Sequence, residues 1–213
     1  MKRAVIISNG DIFDYDKIKK HFSKDDFFIC ADGAIRHFIA MNIFPDVWIG
    51  DFDSCTISDE QFNKICKNTK VIRLNPIKDC TDTEECVNYA IDNGFKNVLI
   101  AGFGGTRLDH TMATVFMLKK LTLKGIFSVA INENNKVFYI DNKMEFDKDD
   151  YTYLSIIPIS KKIENVTLTG LEYPMDNGVM ENYYSLGVSN KIKSLKCTVS
   201  IGCGEGFVIM SKD

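Results

Sequence analysis

Short apolar runs alternate with helical patterns over the first 130 residues. Residues 4–8, 27–31, 70–74, 97–101 and 127–132 are short, rich in Val, Ile or Phe and free of Pro, as buried parallel strands are. Between them, Ser58 with Gln61 reads as a capping box, followed by a stripe of Phe62, Ile65 and Cys66. Thr81 with Glu84 is a second box, ahead of Val87, Ala90 and Ile91, with Gly94 as the stop. Met112, Val115 and Phe116 mark a third helix. Strands alternating with helices predict an α/β fold, a doubly wound and mostly parallel sheet with helices on both faces. Beyond residue 134 the helical period disappears. Residues 136–140, 151–157, 163–169, 196–201 and 207–210 are β-type runs, separated by turn residues such as Asp141-Asn142, Asp149-Asp150, Asp176-Asn177-Gly178 and the 202–206 stretch. The pattern predicts an α/β domain over 1–133 and an all-β domain, a sandwich or small barrel, over 134–213. No Pro/Gly/Ser-rich linker separates them, so close packing is expected.

Composition narrows the function classes. With 45% hydrophobic and 26% charged residues, the 213-residue chain is of globular type. Its 26 basic and 29 acidic side chains leave a net charge of −3, which argues against nucleic-acid binding as its main task. The longest apolar run, 98–103, is far short of a membrane span, and the apolar stretch at the N-terminus is too short for a signal peptide. Cysteines 30, 55, 66, 80, 86, 197 and 203 are odd in number, and no Cys-x-x-Cys pair occurs. Histidines 21, 37 and 110 are scattered, which argues against zinc. The cysteines are expected to be reduced and mostly buried, in a cytoplasmic protein.

Candidate chemistry gathers at strand ends. Gly50-Asp51-Phe52-Asp53-Ser54 sets two carboxylates two residues apart, on one side of an extended chain. Such a pair repels unless a cation sits between, and Mg2+ suits oxygen ligands shared with phosphate and water. A solvated Asp-rich turn is the alternative for this motif alone. Lys78-Asp79-Cys80-Thr81-Asp82 follows the run at 70–74 and opens a helix, at the strand end where open α/β sheets bind ligands. Thr81 and Asp82 are also ordinary helix-start residues. In Gly102-Phe103-Gly104-Gly105-Thr106-Arg107-Leu108-Asp109-His110, a strand runs through three glycines into a helix. Backbone N–H groups there would cradle phosphate, with Arg107 as a forked cation, or the stretch is a plain turn. Asn9-Gly10 and Ala31-Asp32-Gly33 follow the first two strands. A metal–phosphate site explains with one cause why Asn9, Asp32, Asp51 with Asp53, Asp82, and Arg107 with Asp109 all follow strand-like runs.

Taken in order, these motifs resemble the bacterial thiamine pyrophosphokinase family. They stand as Asn9-Gly10, Ala31-Asp32-Gly33, Pro45-Asp46 with Gly50-Asp51-Phe52-Asp53-Ser54, Lys78-Asp79-Cys80-Thr81-Asp82, the 102–110 glycine loop, and Gly187-Val188-Ser189-Asn190. Ala34 and Thr114 depart from the family's usual Gly and Asn. The resemblance implies transfer of a diphosphoryl group from ATP to the thiamine hydroxyl, giving thiamine diphosphate and AMP, with Mg2+ as cofactor. It assigns metal binding to Asp51, Asp53 and Asp82. Contacts to nucleotide and diphosphate fall to Asn9, Asp32, Gly33, Lys78, Thr81, Gly104, Gly105, Arg107, Asp109 and His110. It places Ser189 and Asn190, with Asp109, on the thiamine side, and implies a homodimer with a composite site. Asp51, Asp53, Asp82, Arg107 and Asp109 form the expected catalytic set, with Asp109 or Asp82 as general base. Competing readings are a metal-dependent nucleotide phosphohydrolase, another Asp-x-Asp nucleotide-using transferase, and a non-catalytic thiamine- or nucleotide-sensing module.

Overall fold

The structure, a computed structural model, describes residues 2–55, 57–77 and 79–213. It divides into two compact units, Met1–Glu133 and Asn134–Asp213.

In the first unit the elements are β1 (Ala4–Ile7), α1 (Tyr15–Lys19), β2 (Phe27–Ala31), a 3-10 turn (Asp32–Ala34), α2 (Ile35–Met41), β3 (Val47–Gly50) and α3 (Asp59–Cys66). They continue with β4 (Lys70–Arg73), α4 (Asp82–Asp92), β5 (Asn97–Ala101), α5 (Leu108–Leu123) and β6 (Phe127–Ile131). The strands pair in parallel in the order β6-β5-β1-β2-β3-β4. From β1 the chain winds outward through β2, β3 and β4, then returns to the other side of β1 for β5 and β6. The winding direction therefore reverses between β1 and β5. Loops leaving the C-terminal ends of these two strands turn opposite ways and open a crevice, the usual ligand position of such sheets.

Why the strands form is visible in their burial. Every residue of β1 and β3 is buried, which only an unbroken apolar run tolerates. Val5 and Ile7 pack with Ile18 of α1, Ile35, Phe38 and Met41 of α2, and Ile65 of α3. Helices α4 and α5 bury Cys86, Val87, Ala90, Leu118 and Leu121, and α4 packs on β1, β2 and β3.

Several local expectations change. β4 is an exposed edge strand rather than a buried one. β3, α1 and α2 carry no clear period and were not anticipated. The Ser58–Gln61 box closes in both directions, at 3.3 and 3.0 Å. Thr81 caps only one way, accepting from the Glu84 N–H at 3.2 Å, because the Glu84 carboxylate instead binds Lys120 at 2.8 Å. α5 buries Val115, but Met112 and Phe116 remain half-exposed. None of the seven cysteines is in a disulfide among the described residues: Cys30, Cys86 and Cys197 are buried, Cys203 is exposed, and the other three lie between.

The second unit is a β-sandwich of antiparallel sheets. Its strands are β7 (Asn135–Ile140), β8 (Lys143–Asp147), β9 (Tyr153–Pro158), β10 (Lys162–Thr169), β11 (Met175–Glu181), β12 (Asn190–Lys191), β13 (Lys196–Ser200) and β14 (Gly206–Ser211). One sheet runs β12-β9-β14-β7 and the other β11-β10-β13-β8. Alternation buries Leu154 and Ile156 in the first and Ile163, Leu168, Cys197 and Val199 in the second. Asp176-Asn177-Gly178, expected as a turn, lies inside β11. The strand absorbs it through a register shift, with Asn177 at φ 51°.

Candidate active site

A cleft of about 610 Å3 opens in the first unit where β1 and β5 diverge. Asn9, Asp32, Asp51, Thr81, Asp82, Gly104, Gly105, Arg107 and His110 all line it. Segments as far apart in sequence as Asn9 and His110 thus meet in one place. Lys78 lies outside the described residues. Gly33, Asp53 and Asp109 adjoin lining residues without themselves forming the wall.

The floor is a clamp between two loops. Gly10 N–H donates to the Gly102 carbonyl at 2.9 Å, and Asp11 N–H to the Gly104 carbonyl at 2.6 Å. A Cβ at Gly10 would strike the carbonyl oxygens of Gly102 and Gly104, so only glycine lets the loops approach. Beyond Gly105 the chain enters α5 without a side-chain cap. First-turn N–H groups of this 16-residue helix are thus left at the positive end of its dipole.

Three carboxylates converge at the acidic side of the cleft, two of them, Asp32 and Asp51, lining it. Oxygens of Asp32, Asp51 and Asp53 all lie within 4.8 Å of one another. The segment after β3 is not extended, as the spacing suggested. Phe52 turns through φ 68°, and the Asp53 N–H donates back to Asp51 Oδ1 at 3.2 Å. The Phe52 ring anchors this strained turn by packing edge-on against Trp48 at 4.7 Å, with the Arg73 guanidinium 4.8 Å from its centroid. Asp32 sits at φ 44° and accepts from the Phe52 N–H at 2.8 Å. Its backbone carbonyl accepts from Trp48 Nε1 at 2.9 Å. Asp82 stands outside the group of three and faces the same cleft from α4.

Neighbouring thiols stay protonated. Burial, and then the charges of Asp32, Asp53 and Asp51, push Cys55 up to about 12. Burial raises Cys30 and Cys86 as well. The converging donors, Asp32, Asp51 and Asp53, are carboxylate oxygens, which suit a hard divalent ion. Arg107 and Asp109 form an exposed pair at 2.5 Å. Hydrogen bonding to Arg107 holds the Asp109 carboxyl below the usual carboxylate range.

Sequence reasoning missed Arg36 and His37. Arg36 Nε donates to Asn9 Oδ1 at 2.9 Å, and Arg36 Nη2 donates to the Asn9 and Gly10 carbonyls at 2.9 and 2.8 Å. Buried His37 donates from Nε2 to the same Gly10 carbonyl at 2.8 Å; a carbonyl only accepts, which leaves Nδ1 to accept from the Tyr15 hydroxyl at 2.9 Å. One signal was available: a cation in the first turn of a helix opposes the helix dipole and needs another reason to be there. Of the two departures from the family pattern, Ala34 is fully buried in the core, and Thr114 is buried where α5 meets the cleft.

In the second unit, Ser189 is exposed at φ 60°, and its N–H donates to Ser155 Oγ at 2.9 Å. The Asn190 amide accepts from the Tyr173 N–H at 2.9 Å and donates to the Tyr173 carbonyl at 2.7 Å, fixing a turn with both its polar ends. Tyr183 and Tyr184 are 64% and 65% exposed.

Comparison with known proteins gives a consistent picture. Residues 18–130 match the family described as "Thiamin pyrophosphokinase, catalytic domain", and 141–208 match "Thiamin pyrophosphokinase, vitamin B1 binding domain". The chain is 26% identical over 216 residues to Thiamine pyrophosphokinase of Bacillus subtilis, covering 100% of both. It is 27% identical over 184 residues to Thiamin pyrophosphokinase 1 of Caenorhabditis elegans, covering 80% of this chain and 73% of the relative. The Bacillus subtilis thiamine pyrophosphokinase crystal structure superposes with a TM-score of 0.89 at 25% identity, covering 100% of both chains. The Candida albicans thiamin pyrophosphokinase, at 16% identity, shares the fold with a TM-score of 0.78 over 99% of this chain and 89% of the other.

Proposed function

The chain belongs to the thiamin pyrophosphokinase family, and on that footing we propose that this diphosphotransferase is Mg2+-dependent, moving a diphosphoryl group from ATP to the thiamine hydroxyl to give thiamine diphosphate and AMP. One observation carries the reading: three convergent carboxylates, Asp32, Asp51 and Asp53, stand beside a glycine loop at the point where the strand order reverses.

Phosphoryl transfer needs positioning and charge neutralisation more than a covalent catalyst. Asp51 and Asp53, with Asp32 beside them and Asp82 across the cleft, would hold Mg2+, which supplies charge neutralisation to the phosphate chain. Gly104, Gly105 and the α5 N-terminus present backbone N–H groups to phosphate oxygens. Arg107 exchanges its exposed partner Asp109 for a phosphate oxygen, a bond of the same charge-assisted kind. By the family resemblance, Asn9, Gly33, Lys78, Thr81 and His110 would contact the nucleotide and its diphosphate. Of the two candidate bases, Asp109 is weakened by Arg107, and a loose transition state asks little of either. In this reading Ser189 and Asn190 serve the thiamine side from the partner subunit of a homodimer, and the protein works in the cytoplasm.

Incubating the protein with ATP, thiamine and Mg2+ and separating products by chromatography tests the proposal. AMP and thiamine diphosphate should appear in equal amounts, and only when thiamine is present. Phosphate released without thiamine would indicate a phosphohydrolase; ligand binding with no AMP would indicate a sensor.

A further inference from the structure

We propose that Arg36 and His37 are positioning residues that hold the Asn9–Gly10 turn in its nucleotide-receiving shape, a role that rests on the nucleotide reading above. Four donor bonds from two adjacent residues of α2 converge on this one turn. Arg36 reaches Asn9 Oδ1 and the Asn9 and Gly10 carbonyls, and His37 reaches the Gly10 carbonyl, all at 2.8–2.9 Å. The Gly10 carbonyl takes two of the four, so its direction is fixed from two sides.

Geometry explains why the turn needs such support. Gly10 has no side chain to pack, and its own N–H is already committed to Gly102. Asn9 is exposed. Without α2, the turn would be held to the glycine loop by main-chain bonds alone. Gly33 completes the arrangement, because a Cβ there would come within 2.6 Å of Asn9 Nδ2. The Ala31-Asp32-Gly33 turn thus aims Asp32 at the carboxylate group, while the two residues that follow Ile35 grip the opposite loop. One short stretch of chain thereby couples the acidic side of the cleft to the phosphate floor.

His37 acts here by direction and not by charge. The Gly10 carbonyl, which only accepts, fixes the proton on Nε2, and the Tyr15 hydroxyl then donates to Nδ1. Arg36 uses Nε and Nη2 on the turn, and Nη2 also lies 3.8 Å from Asp11 Oδ1. Since Arg36 also lines the cleft, its charge stays on the nucleotide side.

The test uses Arg36→Lys, His37→Phe and His37→Gln in the full chain. Lysine keeps the charge without the fork, phenylalanine fills the site without the donor, and glutamine places an amide N–H near the Nε2 position. Arg36→Lys and His37→Phe should raise the ATP KM by about tenfold, the size of one lost charge-assisted or buried bond, and leave the thiamine KM within twofold. His37→Gln should recover most of the loss. Amide exchange across residues 8–11, measured without substrate, should speed up in the first two variants and not in His37→Gln. Equal loss in both KM values, or no rescue by glutamine, would overturn the role. If the wild type makes no AMP, the functional reading fails by itself; exchange rates unchanged in the variants would separately defeat the positioning claim.

Discussion

Asp32, Asp51 and Asp53 repel one another across less than 4.8 Å unless a cation lies among them. Replacing Asp53 by Asn should therefore leave the metal-free protein as stable as wild type or slightly more so. The same change should lower turnover by roughly 10²–10³ or more. Thermal melts check the first half: Mg2+ at about 100 times its Kd should add about 2.7 kcal/mol to wild type and much less to the variant. Arg107→Ala separates function from folding in another way. Its pair with Asp109 is 68% and 64% exposed, so the melting temperature should hold while turnover drops by about 10²–10³. At this scale the sequence was informative about residue identity and less so about direction. Asp51 and Asp53 were legible because Asp-x-Asp is chemically conspicuous. Their convergence on Asp32 was not, because it depends on Phe52 taking a positive φ that no local rule predicts for a bulky residue.

Helix caps show the same division among elements. Ser58 and Thr81 are both N-caps, and Ala at either should cost about 1 kcal/mol by denaturant melts. Only Thr81 lines the cleft, so Thr81→Ala should also lose activity while Ser58→Ala keeps it. Equal activity in the two variants would count against a role for the α4 N-terminus. Capping boxes and apolar periods made α3, α4 and α5 readable in advance. Helices α1 and α2 are five and seven residues long, too short for a period to accumulate, and β3 was masked by the acidic motif at its end. In α5, Met112 and Phe116 satisfied the spacing yet stay half-exposed, because the buried face is set by Leu118 and Leu121 packing behind the sheet. β11 was hidden for the converse reason: Asp176-Asn177-Gly178 has turn chemistry, and cross-strand pairing with β10 overrides it.

Proton uptake links His37 to the stability of the whole fold. Burial holds its folded-state pKa below the ordinary 6.5, with Arg36 assisting and the Gly10 bond, Asp11 and Glu133 opposing. An unfolded chain binds a proton near 6.5 that the folded chain resists. Stability from this source is complete above pH 6.5 and declines as the pH falls below it. Melting temperatures between pH 6.5 and 5.5 should therefore fall more steeply in wild type than in His37→Gln. The molecule also carries its own optical reporter. Trp48, the sole tryptophan, is fully buried, bonded through its indole to the Asp32 carbonyl and stacked edge-on against the ring that anchors the acidic turn. A divalent ion drawing the acidic turn together would alter the field around that indole. Its emission should shift as Mg2+ is titrated, giving a label-free binding curve that Asp53→Asn abolishes.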